Sequence, residues 1–185
     1  EFRRVLFRSV AGSKVVGEEG VHADPTILAR IAEEAPVWIV DPIDGTANFA
    51  DGKALFAIQL AYVERGTTCA AWIFDPAGQR IAVAERGAGA WIDGQRAPVP
   101  SSMGFDDMRG AVYAGPTRPG IHPDFKARVE RYGDARYRRC VGQEYLDLAA
   151  GRIQFALFTR LLPWDHAAGA HIHEEAGGYL RLTDG

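Results

Sequence analysis

Val37-Trp38-Ile39-Val40-Asp41-Pro42-Ile43-Asp44-Gly45-Thr46-Ala47-Asn48-Phe49 is an apolar run that ends in acids. Its first four residues, three of them β-prone, predict a buried strand. The chain is expected to break sharply at Asp41-Pro42. Gly45 admits a backbone geometry closed to other residues, or the close approach of a ligand. Two carboxylates this close repel, and burying either is costly unless it is paired. A hard cation removes the conflict, because magnesium takes carboxylate, carbonyl, water and phosphate oxygens. Pro42 stiffens the turn so that Asp41, the Ile43 carbonyl and Asp44 can point to one place. The same residues would also serve as an Asp-Pro turn whose second Asp caps a short helix. On this stretch alone the two readings stand equal.

A third acid lies far downstream. Pro163-Trp164-Asp165-His166-Ala167-Ala168-Gly169 opens an alanine-rich helix with Asp165 in its first turn. Upstream lies Gly17-Glu18-Glu19-Gly20. Taken alone, Asp165 would be a plain helix N-terminal charge, and Glu18 and Glu19 a solvated turn. In this order the three motifs resemble the inositol monophosphatase family, a magnesium-dependent, lithium-sensitive group of sugar phosphatases. That group also contains fructose-1,6-bisphosphatases, histidinol-phosphate phosphatases and 3′-phosphonucleotide phosphatases.

The resemblance runs from about residue 15 to residue 185 and implies a set of roles. Glu18, Asp41, the Ile43 carbonyl, Asp44 and Asp165 would hold two or three Mg2+ ions, with Mn2+ as a substitute. Asp41 would be shared between two ions. Thr46, with Asp44 and Glu18, would belong to the catalytic set, Thr46 orienting the attacking water. Gly45 and Thr46 would offer backbone N–H groups to the phosphate, with Asp44 and Asp165 also touching the substrate. The implied fold is α/β, the layered α-β-α-β-α sandwich, with its N-terminal helical layer and C-terminal end absent from this chain. The implied reaction is Mg-dependent hydrolysis of a small inositol, sugar or polyol phosphate in the cytoplasm, and a homodimer is plausible. The alternative is a catalytically impaired or non-catalytic module that binds metal or a protein partner.

Two departures qualify the resemblance. Inositol-preferring members carry an acid seven residues before the Trp-Asp aspartate, and here that position is Phe158. The family's N-terminal helices also supply an aspartate that pairs with the threonine, and no equivalent is found.

Composition narrows the class. At 185 residues, 47% hydrophobic and 24% charged, the chain suits one soluble globular domain. A net charge of −3 favours neither nucleic acid nor acidic membranes. No stretch is long enough to span a bilayer. Cys69 and Cys140 form no disulfide framework and read as free thiols.

Residues 1–9 read as a non-native or disordered leader, and 10–185 as one partial domain with sublobes of about 10–100 and 101–185. Along the chain, residues 13–16 predict a strand and Asp24-Pro25 a helix start, with Ile27, Leu28 and Ile31 on one face. Strands follow over 55–63, 67–74, 80–85 and 90–92, turned at Glu64-Arg65-Gly66 and Asp93-Gly94. A polar connection at 98–107 is the expected hinge. Further strands are expected over 111–114, 135–140, 153–158 and 179–182, with helices from 122, over 142–150 and from 163 to about 176. His166 reads as a helix-surface histidine. His171 and His173 point to different faces, and Arg118, Lys126 and Arg160 read as solvated. The four tryptophans read as core.

Overall fold

The computed structural model describes residues 10–97, 104, 107–112 and 138–182. The leader, the helix expected from 122, Arg118, Lys126, the end of the chain and most of the 98–107 connection lie outside the described residues.

Seven strands form one sheet in sequence order: β1 (Lys14–Gly17), β2 (Val37–Asp44), β3 (Ala57–Glu64), β4 (Thr67–Asp75), β5 (Arg80–Glu85), β6 (Gly89–Ile92) and β7 (Gln95–Arg96). β1 runs parallel to β2, and every later pair is antiparallel. The β3–β4 and β6–β7 turns place Arg65-Gly66 and Asp93-Gly94 at positive φ, the geometry that matches the twist of a tight hairpin. A second sheet pairs β8 (Gly110–Val112) with β9 (Phe155–Leu157) in parallel.

Alternation along the strands sends Ala57, Ala61 and Val63 of β3, Ala71 and Ile73 of β4, and Ala82 and Ala84 of β5 to one face. These are mostly small residues, so helices can lie close. Helices α3 (Val141–Ala149) and α4 (Pro163–Glu175) cover that face, and Tyr145, Leu146, Trp164, Ala168 and Ile172 complete the main core. Trp38 lies on the other face in a smaller cluster with Val15 and Val40. There it packs against Tyr62 and Trp72, with ring centroids 4.8 and 6.0 Å away.

Several expectations need correction. β2 does not end at Asp41-Pro42. It continues to Asp44 through a register shift, because Asp44 returns to pair with Ala57. The segment after Asp24 is capped as expected, but Pro25–Ala32 is a 3-10 helix and Leu28 is exposed while Ile27 is buried. The described residues 138–140 and 179–182 are not strands. Arg139 instead adopts a left-handed backbone at φ 62°. α3 begins at Val141 and is closed by Gly151 at φ 68°.

Candidate metal centre

The site lies at the C-terminal end of β2. Asp41 and Asp44 are both buried there, and Pro42 between them is exposed. The irregularity in the β2–β3 ladder lets two carboxylates three residues apart face one pocket, a common use of a bulge. Asp41 Oδ1 accepts the Ile43 N–H at 3.0 Å, which tightens the turn. Gly45 is left-handed at φ 85°, and a Cβ there would lie 3.0 Å from the Leu55 carbonyl. It launches α2 (Thr46–Ala50), a single turn whose first residue donates its hydroxyl to the Ile43 carbonyl at 2.9 Å.

Asp165 arrives on α4. Leu162 is the N-cap and Pro163 starts the helix, which puts Asp165 in the first turn. Ligand oxygens of Asp41, Asp44 and Asp165 all fall within 4.8 Å of one another. They line a pocket of about 240 Å³ together with Glu18, Ile43, Gly45, Thr46, Ala47, Arg139 and Val141. Glu18 is exposed, begins α1 (Glu18–Ala23), and stands outside the three-acid cluster. Its charge nevertheless reaches both Asp41 and Asp165. The structure therefore brings every site residue expected from the sequence to one pocket, with three acids converging and Glu18 at the margin.

The electrostatics are those of buried acids crowded together. Burial, then the charge of Asp44, pushes Asp41 up from 3.8 to about 8. Burial, then Asp44 and Glu18, raises Asp165 to about 7, with Arg160 and a hydrogen bond from Asp41 acting the other way. Burial also raises Asp44, against hydrogen bonds from the Gly142 N–H, the Cys140 thiol and Gln59. Three oxygen donors held together against their own repulsion suit a hard divalent cation.

Other residues fall differently from expectation. His166 is buried rather than on the helix surface. Its Nδ1 meets the Tyr145 hydroxyl at 3.1 Å and its Nε2 the Arg160 carbonyl at 3.0 Å, while burial lowers its pKa. Phe158 stacks on Tyr145 with centroids 5.5 Å apart, in an apolar setting. Trp91, expected in the core, is half-buried beneath the Arg96 guanidinium, while His171 is buried and His173 half-buried, on different faces of their helix as expected.

Sequence reasoning missed Gln59, Gly142 and Arg139. Gln59 had a visible signal, as the lone amide in the apolar run 55–63. Cys140 was legible only as a free thiol. The structure places it 3.3 Å from Asp44 Oδ2.

A layered α/β chain with an acidic pocket at the C-terminal end of β2 defines the class. Residues 2–185 match the model of the inositol monophosphatase family, and the chain belongs to that family. It is 37% identical over 149 residues to a fructose-1,6-bisphosphatase/inositol-1-monophosphatase of Thermotoga maritima, covering 78% of this chain and 56% of that one. It is 34% identical over 187 residues to an inositol-1-monophosphatase of Rhizobium meliloti, covering 93% of this chain and 69% of the relative. Among solved structures, inositol monophosphatase II of Staphylococcus aureus superposes with a TM-score of 0.81 at 27% identity, covering 96% of this chain and 65% of that one. The chain thus spans a little over half to about two thirds of the length of these relatives. No helix among the described residues is long and apolar enough to cross a membrane.

Proposed function

We propose that this chain carries the metal-binding half of a phosphatase that hydrolyses small phosphate monoesters with Mg2+. The observation that carries the reading is the meeting of Asp41, Asp44 and Asp165, drawn from β2 and α4, within 4.8 Å. Asp41, Asp44 and Asp165, with Glu18 and the Ile43 carbonyl beside them, would hold the ions. Divalent cations bound there supply a water of lowered pKa and charge to offset the phosphate.

The chain's own residues do the rest. Thr46 spends its hydroxyl proton on the Ile43 carbonyl, so its lone pairs are free to accept from a water. The Ile43 carbonyl keeps a second lone pair for a ligand role. Gly45 and Thr46 line the pocket where the phosphate would sit, although α2 is one turn long and its dipole is correspondingly small. Phe158 offers no acid to a substrate hydroxyl, which favours a sugar or polyol phosphate other than inositol phosphate.

A test panel comprises inositol-1-phosphate, fructose-1,6-bisphosphate, histidinol phosphate and 3′-phosphoadenosine phosphate. Phosphate release is expected to need Mg2+ and to fall at least 100-fold in Asp44→Asn. Metal-independent release, or an unaffected variant, would refute the proposal. One observation favours an impaired centre as a second reading: the hydroxyl of Thr46 meets a backbone carbonyl rather than a carboxylate among the described residues. Metal binding without release from any monoester of the panel is the outcome that reading expects.

A further inference from the structure

Three donors among the described residues meet one oxygen of the Asp44 carboxylate. Its Oδ2 accepts from Gln59 Nε2 at 3.0 Å, from the Cys140 thiol at 3.3 Å, and from the Gly142 N–H. The donors come from β3 and from the start of α3, both remote in sequence from Asp44. The fit is close. A Cβ at Gly142 would lie 2.8 Å from the Ala57 Cβ and 3.1 Å from Asp44 Oδ2.

Gln59 is the unusual member. It is 1% exposed and shares its strand face with Ala57, Ala61 and Val63. Its Oε1 meets no hydrogen-bond partner among the described residues. A buried amide with one end unpaired is a poor packing choice, and an apolar residue would fill the position at lower cost. Its place in the ladder accounts for its presence. Gln59 pairs with Asp41, and the shift beyond Asp41 brings Asp44 back against Ala57, within reach of the Gln59 amide. The amide donates without carrying charge. A lysine or arginine there would neutralise the acid and compete with a cation.

We propose that Gln59 is a positioning residue for metal binding. With the Gly142 N–H and the Cys140 thiol it immobilises Oδ2 of Asp44, so that Oδ1 is the oxygen presented to the cation. The inference rests on the metal-dependent reading of the pocket. It goes beyond that reading by assigning a partner that orients one ligand.

The test uses the full chain, titrated with Mn2+ by calorimetry, in wild type, Gln59→Leu and Gln59→Glu. Both variants are expected to bind Mn2+ about 10–100-fold more weakly, the range for losing a partner behind a ligand. The Mn2+ concentration for half-maximal phosphate release should rise in parallel, while substrate KM at saturating Mn2+ stays within about twofold. Circular dichroism in EDTA checks folding, and Gln59→Glu, which keeps the volume, remains readable if Gln59→Leu unfolds. Wild-type Mn2+ affinity in the folded variants, or a KM that moves while Mn2+ affinity does not, overturns the role of Gln59 alone. A wild-type chain that binds no Mn2+ overturns the metal centre and the Gln59 role with it.

Discussion

Asp41→Asn separates the two demands on the acidic pocket, because it keeps the shape of Asp41 and removes its charge. Asp41 titrates at about 8 in the fold against an ordinary 3.8. A raised acid contributes stability while protonated in the fold. That contribution is complete below about 3.8 and is lost as pH rises through about 8. At 1.36 kcal/mol per pH unit, the interval sets a ceiling of about 6 kcal/mol. Water entry and side-chain relaxation bring the expected effect nearer 2–3 kcal/mol. Asparagine has no such loss. In EDTA at pH 9, Asp41→Asn should therefore be about 2–3 kcal/mol more stable than wild type to chemical denaturation, and the two should converge at pH 4. Adding Mg2+ at pH 9 should stabilise the wild type and leave the variant nearly unmoved. A variant less stable than wild type in EDTA at pH 9 would refute the electrostatic reasoning. Equal stabilisation of both by Mg2+ would refute the role of Asp41 as a ligand.

Three further outcomes follow from the packing. A Cβ on Gly169 would lie 1.9 Å from the Tyr145 ring, so Gly169→Ala should lose about 1–3 kcal/mol or more in urea denaturation, and an unchanged midpoint would contradict the α3–α4 contact. Asn48 Nδ2 donates to the Arg138 and Arg139 carbonyls at 2.9 and 3.3 Å, so Asn48→Ala should cost about 1–2 kcal/mol and speed amide exchange in residues 138–140. Thr46→Val should reduce phosphate release roughly 100-fold with little change in KM, and Thr46→Ser should restore it, as steady-state kinetics will show.

The acids and the fold were legible in the chain for different reasons. Strand alternation and tight turns are local properties, so β3 to β6 fell close to their expected bounds. Asp-Pro-Ile-Asp-Gly-Thr and Trp-Asp marked the pocket through their order along the chain, since each acid taken alone had an ordinary structural role as a turn or a helix N-terminal charge. His166 was misread because helix position alone does not report burial. What decides it is the packing of α3 and the chain around Arg160 against its ring. The path of β2 beyond Pro42 was misread because only pairing with Ala57 keeps Asp44 in the sheet.

The sequence by itself determined which residues carry charge, where the strands of the 57–92 meander fall, and that three acidic motifs occur in a telling order. Only the tertiary structure decided that Asp41, Asp44 and Asp165 share one pocket while Glu18 stands at its edge, and that Gln59, Cys140 and Gly142 grip a single oxygen of Asp44. The reason is physical. Periodicity is written in neighbours along the chain, whereas convergence of remote side chains depends on how α3 and α4 settle against the sheet.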